Sequence, residues 1–160
     1  MKRNRINGLT IGGMTAALYV VLTFLSGALG LASGPVQVRL SEALCLLPCL
    51  TPAAVPGLGV GCLLANLLTG CAGPDIVFGT VATVLGAAGT RLLRGKPRLA
   101  WIPPVLCNTL IIPFVLRAAY GVGTAWPLLA LSIFAGETVS CCVLGLCLLP
   151  FEKRALERMK

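Results

Sequence analysis

From Thr10 to Gly30 no residue carries a charge, and similar stretches recur at Ile76–Thr90, Leu99–Tyr120 and Trp126–Leu149, the last two interrupted only by Arg117 and Glu137. An α-helix rises about 1.5 Å per residue, so about 20 apolar residues cross the roughly 30 Å hydrocarbon core of a bilayer. A water-soluble fold has no place for so many runs of this kind. The chain is 57% hydrophobic and 11% charged, where soluble domains carry about 25% charge. The expectation is an all-α integral membrane protein, since helices satisfy their own backbone in lipid.

Met1–Arg5 is basic and precedes an apolar run, the outline of a secretory signal. That run is longer than a signal's apolar region, no Ala-x-Ala site stands out, and comparable runs follow to the end. The segment is expected to stay as a transmembrane helix. The net charge of +8 resides in three basic blocks: Lys2, Arg3, Arg5; then Arg91, Arg94, Lys96, Arg98; then Lys153, Arg154, Arg158, Lys160. Blocks separated by apolar spans point to membrane topology rather than nucleic acid, and the positive-inside rule puts all three in the cytoplasm.

Between Val36 and Thr69 the apolar stretch is too long for one crossing and short for two. Charge parity requires two, because a single pass would place the first two basic blocks on opposite sides. Thr51-Pro52-Ala53-Ala54-Val55-Pro56 supplies the break. The reading is one domain, a six-helix bundle with spans at about 9–29, 37–51, 54–69, 75–92, 100–120 and 126–149, and both termini cytoplasmic. The short second and third spans must tilt, be buried, or thin the bilayer.

This topology places Arg39 and Glu42 about 5–9 Å below the outer surface, one turn apart on the same helix face. Asn66 lies within a turn of that surface, Asp75 starts the fourth span, and Asn108 and Glu137 lie at depth. As a bland alternative, Asp75 caps its helix and Arg39–Glu42 is a self-satisfied ion pair. As a functional reading, Glu42, Asn66, Asp75 and Glu137 from four helices line an outward-facing pocket, because ionisable groups facing lipid are costly. Three carboxylates against one arginine favour a ligand rich in N–H donors or positively charged. The stacking aromatic expected beside them is not singled out among Phe78, Trp101, Tyr120, Trp126 and Phe134, with interfacial anchoring the default for the two tryptophans.

Seven of the eight cysteines lie within apolar runs and only Cys71 in a loop, so they read as small hydrophobes. Without histidine or a C-x-x-C motif no metal site is expected. No nucleophile with a positioned base accompanies the acids, so no enzyme and no cofactor are expected, and ATP hydrolysis would come from another chain because GxxxxGK[ST] is missing. In the first span Gly12/Ala16 and Gly13/Ala17 are small-x-x-x-small pairs, suited to packing within the bundle or to docking another membrane protein.

QVRLSEALCLLP from Gln37, PDIVFGTVATVLGA from Pro74, PPVLCNTLIIPFVL from Pro103 and GETVSCCVLG from Gly136 occur in that order. Together they resemble the QueT family, thought to import queuosine precursors. The resemblance implies a substrate-binding S component of an energy-coupling factor (ECF) transporter, which binds a 7-deazaguanine compound and associates with a transmembrane coupling subunit and two cytoplasmic ATPases. It also implies that Gly12/Ala16 or Gly13/Ala17 is the docking face. One carboxylate, Glu42 or Glu137, would accept the adjacent N1–H and 2-amino donors of such a ring. Asp75 would meet a cationic aminomethyl group, and Asn66 or Asn108 the ring's remaining polar edge. The rival classes are a proton-coupled transporter using Glu137 and a structural membrane protein in which Arg39–Glu42 is a tie.

Overall fold

The computed structural model describes residues 2–31 and 37–158, with side chains from residue 8 onward. Val36, which opens the second apolar stretch, and Lys160 of the last basic block lie outside the described residues. Helix α1 runs Lys2–Ala28; a 3-10 segment, Leu40–Leu46, leads directly into α2, Leu47–Leu50; α3 is Ala54–Leu68 and α4 Gly73–Leu92. A short turn, Pro97–Leu99, precedes α5, Ile102–Tyr120, and α6, Trp126–Glu137, continues through a π-helical stretch, Thr138–Leu144, into α7, Gly145–Arg158. No strand occurs among the described residues. Four of these helical runs are long and apolar enough to cross a bilayer, and Leu40–Leu50 and Ala54–Leu68 are shorter apolar helices.

Lipid is as apolar as leucine, so tight backbone approach, rather than burial of bulk, holds such helices together. Helix α1 presses on α3 where α3 is glycine: a Cβ on Gly57 would lie 2.7 Å from the Gly12 carbonyl, and one on Gly61 would lie 2.7 Å from Tyr19 Cβ and 3.0 Å from Ala16 Cα. A buried cluster of Tyr19, Leu44, Leu47, Leu58, Cys62 and Leu156 fills the space beside this contact. Larger apolar side chains such as Leu9, Val21, Phe114 and Phe151 point outward, as a lipid-facing surface requires.

The second apolar segment differs from the expected 37–51 helix. Gln37–Arg39 is non-helical, with Arg39 extended at φ −104°, ψ 106°, and helix begins only at Leu40. Gly136 explains the late start, because a Cβ there would collide with the Gln37 carbonyl oxygen. Gly136 is about 15 Å along α6 from Trp126. The chain therefore reaches partway into the bundle before it winds, and the 3-10 form, rising about 2.0 Å per residue, stretches a short segment across what remains. Where α2 ends at Leu50, Arg91 Nη1 donates to the free carbonyls of Pro48 at 3.0 Å and Cys49 at 3.3 Å.

The last helical run exceeds the expected 126–149, continuing to Arg158. All eight cysteines are free thiols.

Candidate ligand site

Glu42 lies in the 3-10 segment and Glu137 at the last turn of α6, and each is at most 5% exposed. Ligand atoms of Glu42, Glu137 and Cys141 all fall within 4.8 Å of one another. Cys141 reaches this group through the helix that follows Glu137, and its Sγ donates to Glu137 Oε2 at 3.4 Å. Asn108, 3% exposed in α5, is a second side-chain hydrogen-bond partner of Glu137. Tyr19 of α1 donates its hydroxyl to Glu42 Oε1. The inner layer is thus two carboxylates, an amide, a thiol and a phenol.

Arg39 forms the next layer. Its backbone N–H donates to Ser140 Oγ at 3.1 Å, and Ser140 in turn donates to the Gly136 carbonyl at 3.0 Å, so the turn that leaves room for Gln37 also fixes Arg39. The guanidinium Nη2 donates to Asn66 Oδ1 at 3.4 Å, and its charge acts on both Glu42 and Glu137. Arg39 and Glu42 stand one 3-10 turn apart, the Arg39 carbonyl accepting the Glu42 N–H at 3.0 Å, but Arg39 is the extended residue before the helix, and the Glu42 carboxylate takes its side-chain hydrogen bond from Tyr19. Ser26 Oγ accepts from the Leu40 N–H at 2.8 Å and holds the start of the 3-10 segment to α1.

Above Arg39 opens a cavity of about 490 Å³, whose walls include Thr23, Gln37, Arg39, Thr69, Asp75 and Tyr120. Asp75 does not cap α4: its Oδ2 accepts from Tyr120 Oη at 2.9 Å, and the same hydroxyl accepts the Ala72 N–H at 3.0 Å. A Cβ on Gly79 would lie 3.1 Å from Asn66 Nδ2 and 3.4 Å from Asp75 Oδ1, so this glycine lets both polar side chains turn to the same side of α4. Of the six polar candidates, Arg39 and Asp75 line the cavity, Asn66 is joined to Arg39, and Glu42, Asn108 and Glu137 are buried in the bundle.

Of the five aromatic candidates, only Tyr120 lines this cavity. Phe78 belongs to an apolar surface groove with Pro74, Leu110 and Phe114, Trp126 packs on Phe114 at 5.5 Å between ring centroids, Phe134 is 42% exposed, and Trp101 Nε1 donates to the Arg98 carbonyl at 2.9 Å. Tyr19, Ser140 and Cys141 were not among the sequence candidates. On α1, Gly12 and Ala16 face α3, whereas Gly13 and Ala17 are exposed. A second, almost wholly apolar groove of about 330 Å³ lies along Gly8, Gly12, Gly13, Pro56, Gly57 and Val60.

Glu42, Glu137 and Cys141 have the spacing of a metal-ligand set. The guanidinium beside them offsets part of their negative charge and works against a bound cation, while hydrogen-bond donors remain well matched to the carboxylates.

Apolar helical runs long enough to cross a bilayer, packed around a cluster of buried polar side chains, define a multi-pass helical membrane protein. The family model described as QueT transporter matches residues 9–154, and the chain belongs to that family. The Queuosine precursor transporter QueT of Lactococcus lactis subsp. cremoris (strain MG1363) is 28% identical over 85 residues, 53% of this chain and 50% of that protein. The match thus spans about half the length of this curated relative. No solved structure matches the chain significantly.

Proposed function

We propose that the chain is the substrate-binding membrane subunit of an ATP-driven ECF importer and takes up a queuosine precursor of the 7-deazaguanine type. The observation that carries this reading is the meeting of the buried Glu42 and Glu137, whose charges interact with Arg39, a residue that with Asp75 and Tyr120 walls a cavity. A guanine-like edge presents two adjacent N–H donors, which one carboxylate accepts with both oxygens. The second carboxylate, or Asp75, accepts a cationic substituent. Asn66 and Asn108 supply both donors and acceptors, and Tyr120 supplies a stacking face at the mouth. The substrate in the Lactococcus relative's name has this chemistry, and membership of the QueT transporter family supports transport over catalysis.

Placing the basic blocks in the cytoplasm orients the cavity outward, so ligand enters from outside. The exposed Gly13 and Ala17 and the apolar groove beside Gly12 offer the coupling subunit a face of small residues. The protein then reorients against that subunit while two ATPases supply the energy.

A second reading, an autonomous proton-coupled transporter, draws on the same carboxylate pair, because two buried acids at this distance readily share a proton. Uptake of a labelled deazaguanine into cells with and without the coupling subunit and ATPases separates the two. Uptake that needs the ATPases and survives an uncoupler supports the ECF reading; uptake that persists without them and collapses with the uncoupler supports proton coupling.

A further inference from the structure

Gly12, Ala16 and Tyr19 occupy positions i, i+4 and i+7 of α1 and press on Gly57 and Gly61 of α3. Ser26, seven residues beyond Tyr19, continues this stripe and holds the Leu40 N–H. Within the stripe, Tyr19 is 1% exposed, and its hydroxyl goes to Glu42. A buried phenol needs a partner, and this one donates to one carboxylate oxygen, leaving the other for incoming donors.

We propose that Tyr19 is a positioning residue for ligand capture: it fixes the Glu42 carboxylate beside Glu137 and links occupancy of the chamber to the seating of α1 on α3. The proposal rests on the ligand reading of the chamber given above. When ligand N–H groups take Glu42, the acceptor strength of the oxygen bonded to Tyr19 changes, and with it the hold of the 3-10 segment on α1. The coupling is reciprocal, so a shift of α1 on α3 changes ligand affinity by the same factor.

The chain has two tyrosines, Tyr19 and Tyr120, so 3-fluorotyrosine labelling gives two fluorine resonances, assigned by Tyr19→Phe and Tyr120→Phe. Titration with aminomethyl 7-deazaguanine is expected to move the Tyr19 resonance. Tyr19→Phe, which keeps the packed ring, is expected to weaken binding about 10-fold, one hydrogen bond's worth. Thr15→Val removes another buried α1 hydroxyl, one that bonds its own helix at the Ile11 carbonyl, and is expected to leave affinity unchanged. A Tyr19 resonance unmoved at saturating ligand overturns the proposal by itself, without any stability question for the variant. So does a Tyr19→Phe affinity within twofold of wild type. Wild-type protein that binds no deazaguanine overturns the chamber reading, and this proposal falls with it.

Discussion

Glu42 and Glu137, one in a 3-10 segment and the other at the end of α6, bring carboxylate oxygens within 4.8 Å of each other inside a membrane-spanning bundle. Two like charges this close are unfavourable until a donor-rich or cationic ligand, a proton or Arg39 intervenes. Glu42→Gln and Glu137→Gln are each expected to weaken deazaguanine binding about 10- to 100-fold, the value of a hydrogen bond to a charged acceptor. Because Glu137→Gln also removes the repulsion, the ligand-free variant should unfold at or above the wild-type temperature. Calorimetric titration and thermal unfolding of the same preparations check both halves of this prediction.

Gly136 admits the Gln37 carbonyl where a methyl group would collide with it. Gly136→Ala therefore has to push Gln37–Arg39 away from α6, at a cost of about 1–3 kcal/mol for overpacking. The same movement breaks the Arg39 N–H bond to Ser140 and displaces the guanidinium. Lower unfolding temperature together with weaker binding is expected; a variant with normal affinity would mean that Arg39 does not set the site.

Tyr120 has a ring that lines the cavity and a hydroxyl that links Asp75 to the Ala72 N–H. If the ring supplies the stacking face, Tyr120→Phe should hold affinity within a few-fold, whereas Tyr120→Ala should lose about 1–3 kcal/mol of base stacking. Equal losses in the two variants would assign the effect to the hydroxyl.

Cys71 is half-buried on the wall of the same cavity. An outward-opening cavity predicts that a membrane-impermeant thiol reagent added outside intact cells modifies Cys71 and that deazaguanine slows the modification. Labelling only after the membrane is permeabilised would reverse the assigned orientation.

The apolar segments are legible in the sequence because bilayer thickness and the spacing of charge act locally. The polar residues Arg39, Glu42, Asn66, Asn108 and Glu137 stand out because each interrupts an apolar run, and Asp75 because it opens one; solvation demands that they face inward. Tyr19 carries no such signal, since an aromatic residue in an apolar helix reads as packing until a carboxylate is found beside it. The late, 3-10 start of the second segment depends on Gly136, about a hundred residues away, and is invisible to local pattern. The π-helical stretch after Glu137 packs against the 3-10 segment Leu40–Leu46, a contact between distant parts of the chain that local pattern does not reveal.

The most direct test of the account is thermal unfolding of the purified wild-type chain with cyano and aminomethyl 7-deazaguanine, queuine, guanine and several unrelated vitamins. At about 100 times its dissociation constant, a bound ligand stabilises the folded state by about 2.7 kcal/mol. The account predicts a rise in unfolding temperature confined to the deazaguanines and lost in the Glu42→Gln, Glu137→Gln double variant. A chain stabilised by an unrelated vitamin and by no deazaguanine, or one indifferent to the whole panel, would contradict it.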